Sequence, residues 1–138
     1  MRFFGCFLCW FGLAWGCASP QVDDAPAPIA SPADAPGTLI AAYFSAVQDG
    51  DRAAALACGS EAWAARESEW SHGFTHAFFE EGVGVASWDL LGLNLEDDGI
   101  MTARVRAVLT REGEDPDNEG MRFALKEANG RWQIVDLR

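Results

Sequence analysis

The chain of 138 residues is long enough for one domain and short for two. Twenty-one acidic side chains stand against ten basic ones, nine of them Arg, for a formal charge of −11. A surface this acidic repels phosphate backbones, which excludes nucleic-acid binding as the main role.

Residues 1–17, MRFFGCFLCWFGLAWGC, place one Arg ahead of an apolar run from Phe3 to Trp15. A bilayer-spanning helix needs about 20 residues, so this shorter run reads as the core of a secretory signal peptide. Gly16-Cys17 resembles the lipobox of bacterial lipoproteins, which implies Cys17 as the lipid-attachment residue and the first residue of the mature chain. Ala14 and Trp15 stand where that motif prefers Leu and a small residue, and ordinary signal cleavage after Ala18 is the alternative. Ala18 behind the Cys implies, on the lipoprotein sorting pattern, the outer membrane, on either its periplasmic or its surface face. The membrane is then a partner through the lipid anchor. Cys6 and Cys9 leave with the signal, so Cys58 alone remains in the folded part and no intramolecular disulfide is expected.

Residues 18–37 hold five of the six prolines and six alanines with almost no large apolar group. Such a stretch buries too little surface to offset its ordering entropy and reads as an extended linker. The folded domain is expected over residues 38–138, with 9 basic and 18 acidic side chains, a charge of −9.

The first part of that domain punctuates as helices. Thr38 is a candidate cap for a segment with Ile40, Phe44 and Val47 on one face, and Gly50 is a left-handed stop. Asp51 caps a short Ala-rich helix ending at Gly59. Ser60 caps a third in which Trp63, Trp70 and Phe74 recur at helical spacing, with Gly73 a candidate break before a further turn or two over 74–81. The second part reads as strands. Leu91, Leu93 and Leu95 recur at period two, and Glu96-Asp97-Asp98-Gly99 is a hairpin turn. Met101, Ala103, Val105, Ala107 and Leu109 then alternate with more polar neighbours, as a half-buried strand requires. An acidic loop over 112–120 leads to Met121, Phe123 and Leu125 in alternation, and Asn129-Gly130 turns the chain into a last strand, Arg131–Leu137. Helices followed by an antiparallel meander predict an α+β fold, N-terminal helices packed on a curved sheet of about four strands.

The opening, Leu39-Ile40-Ala41-Ala42-Tyr43-Phe44-Ser45-Ala46-Val47-Gln48-Asp49-Gly50-Asp51, is an amphipathic helix ending in Gly-Asp. The ending, Phe123 to Asp136, is a hairpin finishing in Gly130-Arg131-Trp132-Gln133-Ile134. Together they resemble the nuclear transport factor two-like, or cystatin-like, cone superfamily, in the form of its small bacterial lipoprotein domains. The resemblance implies a curved sheet around helices, a pocket in the concavity, and homodimerisation through the sheet. It carries over no catalytic residue, because no local motif here matches those of the enzymes in that superfamily.

Five residues are candidates for such a pocket: Tyr43, Trp63, Trp70, Asp89 and Trp132, with the Tyr43 hydroxyl and Asp89 as its polar groups. The bland reading makes the aromatics core. Arg104, Arg106, Arg122 and Lys126 fall on the wet faces of two strands and form a candidate interaction face, for an acidic partner or an anionic headgroup. The bland reading there is cross-strand ion pairing. His72, His76 and Glu80 would share a face of one continuous helix, a start for a divalent metal site, but Gly73 stands between the histidines. No cofactor is implied. The first functional reading is a non-catalytic domain that binds a protein partner or small apolar ligand, displayed by an anchored extracytoplasmic lipoprotein. The second is a pocket enzyme, isomerase, dehydratase or cyclase-like, doing acid–base chemistry on a small hydrophobic substrate.

Overall fold

A computed structural model describes residues 35–138. The expected signal peptide, the lipid-attachment residue Cys17 and linker residues 18–34 lie outside the described residues. Four helices precede four strands: α1 Pro36–Gln48, α2 Arg52–Ala57, α3 Glu61–Glu69, α4 Phe74–Phe79, β1 Gly84–Leu95, β2 Ile100–Thr110, β3 Asp117–Ala128 and β4 Arg131–Leu137. The strands form one antiparallel sheet in the order β1-β2-β3-β4. This is the α+β architecture that the order of sequence patterns predicts. Among the described residues, no helix is long and apolar enough to cross a membrane.

Local chemistry sets the helix ends. Pro36 sits in the first turn of α1, where its missing N–H satisfies nothing in any helix, and Ala35 takes the cap position. Thr38 is therefore inside the helix and not its cap. Asp51 Oδ1 accepts from Ala54 N at 2.9 Å and Ser60 Oγ from Trp63 N at 3.2 Å, the two caps that the sequence predicts. Helix α3 stops at Glu69, and Trp70 is already extended. Trp63 and Trp70 consequently do not share a helix face. Gly73, at φ 103°, separates His72 from α4, so the two histidines do not stand on one helix. Asn129 and Gly130, both at positive φ, form the tight turn into β4.

The core lies between α1 and the helix-facing side of the sheet. Leu39, Ile40, Tyr43 and Phe44 of α1 meet Ala103, Val105, Ala107, Met121, Phe123, Leu125 and Ile134. Aromatic rings fill its centre: Tyr43 stands edge-on to Phe123 at 5.4 Å, and Phe44 stacks on Trp88 at 4.9 Å. The core cluster runs from Leu39 to Ile134, so residues 35–138 carry a hydrophobic core of their own. Strand β1 has register shifts between Val85 and Ser87 and between Leu90 and Gly92. The second makes Leu91 an extra residue, so the expected period-two row Leu91-Leu93-Leu95 is broken at its first member. Strand β3 begins at Asp117, which takes Asp117, Asn118 and Glu119 out of the expected acidic loop and pairs them with Leu109, Val108 and Ala107.

Candidate functional site

The five residues expected to line a pocket do not come together. Tyr43 and Trp63 are sealed in the core, 6.3 Å apart centroid to centroid. Trp70 is 47% exposed, stacked beside His72 and under the Arg66 guanidinium at 5.1 Å. Trp132 is half-buried at the end of the β3–β4 hairpin. Asp89 points from the opposite face of the sheet, where it accepts from Arg106 Nη2 at 3.1 Å. Tyr43 and Asp89 therefore cannot act on one substrate. Burial pushes the Tyr43 hydroxyl far above its ordinary pKa, against a lowering by the Thr75 hydrogen bond and with a further push from the charge of buried Glu67. A neutral phenol closed off from water exchanges no proton with a ligand at physiological pH.

What the fold does leave open is the outer face of the sheet. Alternation places Ala103, Val105, Ala107 and Leu109 inward, so Thr102, Arg104 and Arg106 point outward from β2. Arg122 does the same between buried Met121 and Phe123 on β3. The register sets Arg104 directly opposite Arg122. Like charges facing each other across a strand pair are destabilising. Among the described residues neither arginine forms an ion pair, although acids stand nearby. Asp89 is taken by Arg106, Glu96 Oε1 accepts from Thr102 Oγ1 at 2.6 Å, and Asp136 is shared between Arg66 at 3.1 Å and Arg138 at 2.6 Å.

The two guanidinium groups line a cleft of about 460 Å³ together with Gly92, Leu93, Asn94, Glu96 and Thr102. The cleft exists because β1 offers glycine where a side chain would lie. Gly92 is the cross-strand neighbour of Arg104, and a Cβ on it would stand 3.6 Å from Arg104 Nη2. A second hollow of about 200 Å³ adjoins at Glu96, Thr102 and Arg122. Lys126, the fourth member of the expected face, lies opposite Ile100 near the hairpin end and lines neither hollow. The four expected bases thus divide: Arg106 is neutralised, Lys126 stands apart, and Arg104 with Arg122 form one pair. Two guanidinium forks side by side suit an oxyanion, which each can bind with two parallel N–H donors.

A separate groove of about 300 Å³ opens beside α4 over Phe74, Ala77, Leu109 and Leu137, with His72, Glu81 and Arg111 at its rim. Its floor is apolar, and it brings together none of the five expected pocket residues. His76 Nε2 lies 3.5 Å from Glu81, and among the described residues no three His, Cys, Asp or Glu side chains converge as a metal site. Sequence reasoning missed Gly92, Asn94, Glu96 and Thr102 as cleft residues. Thr102 was within reach, since it shares the outward parity of Arg104, and so was Gly92, which meets Arg104 by regular count from the Glu96–Gly99 hairpin.

No family model matches the chain, and no curated protein does. A solved structure does: the solution structure of a SEC-C motif containing protein from Rhodopseudomonas palustris. It superimposes with a TM-score of 0.61 at 19% identity, over 76% of this chain and 78% of that one. At that identity the likeness establishes a shared fold alone.

Proposed function

We propose that the chain is an anchored extracytoplasmic lipoprotein whose domain is non-catalytic and binds an acidic protein partner through Arg104 and Arg122. The observation that carries the reading is the unpaired arginine couple in the outer cleft of a domain with twice as many acids as bases. Two arginines stand opposed there with no ion pair among the described residues and one acid, Glu96, in the cleft beside them, so an acidic partner would add the missing countercharge. The closed aromatic core favours binding over acid–base catalysis, because the ionisable groups expected in a pocket are apart. In this reading Cys17 carries the lipid, residues 18–34 tether the domain to the outer membrane, and the fold is a member of the nuclear transport factor two-like cone superfamily.

Fluorescence anisotropy of a labelled glutamate-rich peptide with residues 18–138 tests the face. Saturable binding should weaken at least about tenfold, or 1.4 kcal/mol, in the Arg104→Gln/Arg122→Gln double variant and persist in Arg106→Gln. Equal loss in Arg106→Gln would reduce the effect to overall charge and sink the site. The anchor is tested separately, by whether Cys17→Ser moves the chain out of the membrane fraction.

A further inference from the structure

Strand β1 is an edge of the sheet, and its last stretch, Gly92–Leu95, pairs regularly with β2 beyond the bulge at Leu91. Glu96 N donates to Ile100 O at 2.8 Å, which makes these two a hydrogen-bonded pair. Bonded and non-bonded pairs alternate along an antiparallel ladder. Asn94 and Gly92 therefore direct their backbone groups at β2, whereas Leu93 and Leu95 turn N–H and C=O to the open side. Open edges are usually blunted by Lys, Pro or a covering group. At the other end of β1 the Gln48 amide covers the Val85 carbonyl at 3.1 Å, but along Gly92–Leu95 no such device is present among the described residues. Leu93 and Leu95 stand in register with Ala103 and Met101, on the helix-bearing side, and are 44% and 61% exposed. Gly92 faces the outer side with Arg104, whose guanidinium lies over it: Nη2 is 3.6 Å from where a Gly92 Cβ would be. Repulsion from Arg122, on the other side of Arg104, favours that placement.

Resting on the reading of the arginine couple as a site for an acidic partner, we infer that the partner docks as an added antiparallel strand on Gly92–Leu95, with one acid opposite Gly92. Charge and space coincide there. A residue opposite Gly92 belongs to a closely spaced, non-hydrogen-bonded pair, about 4.5 Å away from Cα to Cα. Its side chain points to the outer face, meets no side chain on Gly92, and brings a carboxylate to the Arg104 guanidinium. A glycine within a strand often marks such a close approach. Residues opposite Leu93 and Leu95 exchange both backbone hydrogen bonds with them and point to the helix-bearing side, so apolar residues there cover the two leucines. Opposite Asn94 the outer face has Glu96 nearby, with Asp97 and Asp98 in the turn beyond, so a neutral polar residue fits. Read along the partner, the segment is apolar–polar–apolar–acid. Backbone pairing supplies affinity in such strand additions and alternate side chains supply selectivity. A single carboxylate on an extended strand, and not a run of acids, also suits a domain whose own charge is −9.

The probe is a labelled peptide, Gly-Val-Thr-Val-Glu-Gly, capped at both ends and titrated with residues 18–138 by fluorescence anisotropy. N-methylation of the two valine nitrogens, which donate to Leu95 and Leu93, should weaken binding at least about tenfold, whereas methylation of the Thr and Glu nitrogens, which face away, should not. The isomer Gly-Val-Val-Thr-Glu-Gly, equal in composition but without the alternation, should bind at least about tenfold more weakly. Gly92→Val should weaken the probe as well, by filling the place over which the acid approaches, in a strand that accepts a β-branched residue. At saturating probe, amide exchange of Leu93 and Leu95 should slow at least about tenfold, while that of Asn94, already directed at β2, changes little. Equal weakening by both methylation patterns, or equal binding of the two isomers, overturns strand addition and leaves the arginine site to the glutamate-rich peptide titration. Probe binding that appears only when residues 18–34 are removed, or a second copy on this edge that the probe displaces in sedimentation velocity, assigns the edge to the chain itself and overturns it too. Failure of both peptides to bind overturns the inference together with the reading on which it rests.

Discussion

Reversing one charge of the arginine couple, by Arg122→Glu, should make the domain more stable. Arg104 and Arg122 are directly opposed and without an ion-pair partner among the described residues. Like charges so placed cost about 0.2–1 kcal/mol, and an opposite pair contributes a similar amount, so the swing is about 0.5–2 kcal/mol. Both side chains are exposed, which puts the expected value in the lower half of that range. For a domain of this size each kcal/mol moves the melting temperature by about 4–8 °C, so a rise of roughly 2–8 °C is expected at low salt. Thermal unfolding followed by circular dichroism reads it directly. The gain should shrink as salt rises from about 10 mM to 0.5 M, because the Debye length falls from about 30 Å to a few ångströms. The same substitution should remove binding of the glutamate-rich peptide. A variant that binds less while melting higher separates a functional site from a structural one. An unchanged or lower melting temperature at low salt would mean that the couple is already satisfied, and the argument for an external anion would fail.

Three further outcomes follow from the core and its edges. Tyr43 is the sole tyrosine of the chain, so the tyrosinate rise near 295 nm, corrected for the Trp change on unfolding, reports it alone; with its pKa raised in the folded state, its contribution to stability is complete below the unfolded value of 10.0 and falls by about 1.4 kcal/mol per pH unit above it, until the folded value is passed. Ionisation should therefore coincide with alkaline unfolding, and a midpoint near 10 with native circular dichroism would contradict the sealed core. Gly59→Ala should destabilise by about 1–3 kcal/mol, because a Cβ there would stand 1.8 Å from the Trp63 ring, in the segment that bridges to Ile134; denaturant unfolding followed by Trp fluorescence measures it, and a neutral result would show that the ring can move aside. Asp51→Ala should cost about 1 kcal/mol in the same assay through loss of the α2 cap, and no loss would mean that α2 adds little to stability.

The order of elements was legible because each pattern has its own physical cause. Inward residues of β2 and β3 alternate with outward ones, Asp51 and Ser60 sit where orphan N–H groups need an acceptor, and Asn129-Gly130 supplies the positive φ of a two-residue turn. The end of α3 was not legible: helical spacing joins Trp63 to Trp70, but the helix stops at Glu69, and one ring becomes core while the other is half exposed. The pocket set failed for a related reason. Aromatic residues in this fold can fill the interior or line it, and composition does not distinguish the two. The choice was made by packing, with Tyr43, Phe44, Trp63 and Phe123 meeting edge to face.

The arginine face shows the limit more sharply, since parity alone put four bases on the outer side and could not say which were free. The answer depends on the register of β1. Regular pairing from the Glu96–Gly99 hairpin sets Gly92 opposite Arg104, and the bulge at Leu91 then sets Asp89 opposite Arg106. In an unbulged strand running from that hairpin Leu90 would face Arg106 instead, and Asp89 would stand opposite inward-facing Ala107. One inserted residue therefore gives Arg106 its countercharge, while Arg104 and Arg122, on the hairpin side of it, have no ion pair among the described residues. Bulges of this kind re-aim side chains at functional edges. That makes the Leu90–Gly92 irregularity the place where the bases of the outer face divide, Arg106 with a partner on β1 and Arg104 without one.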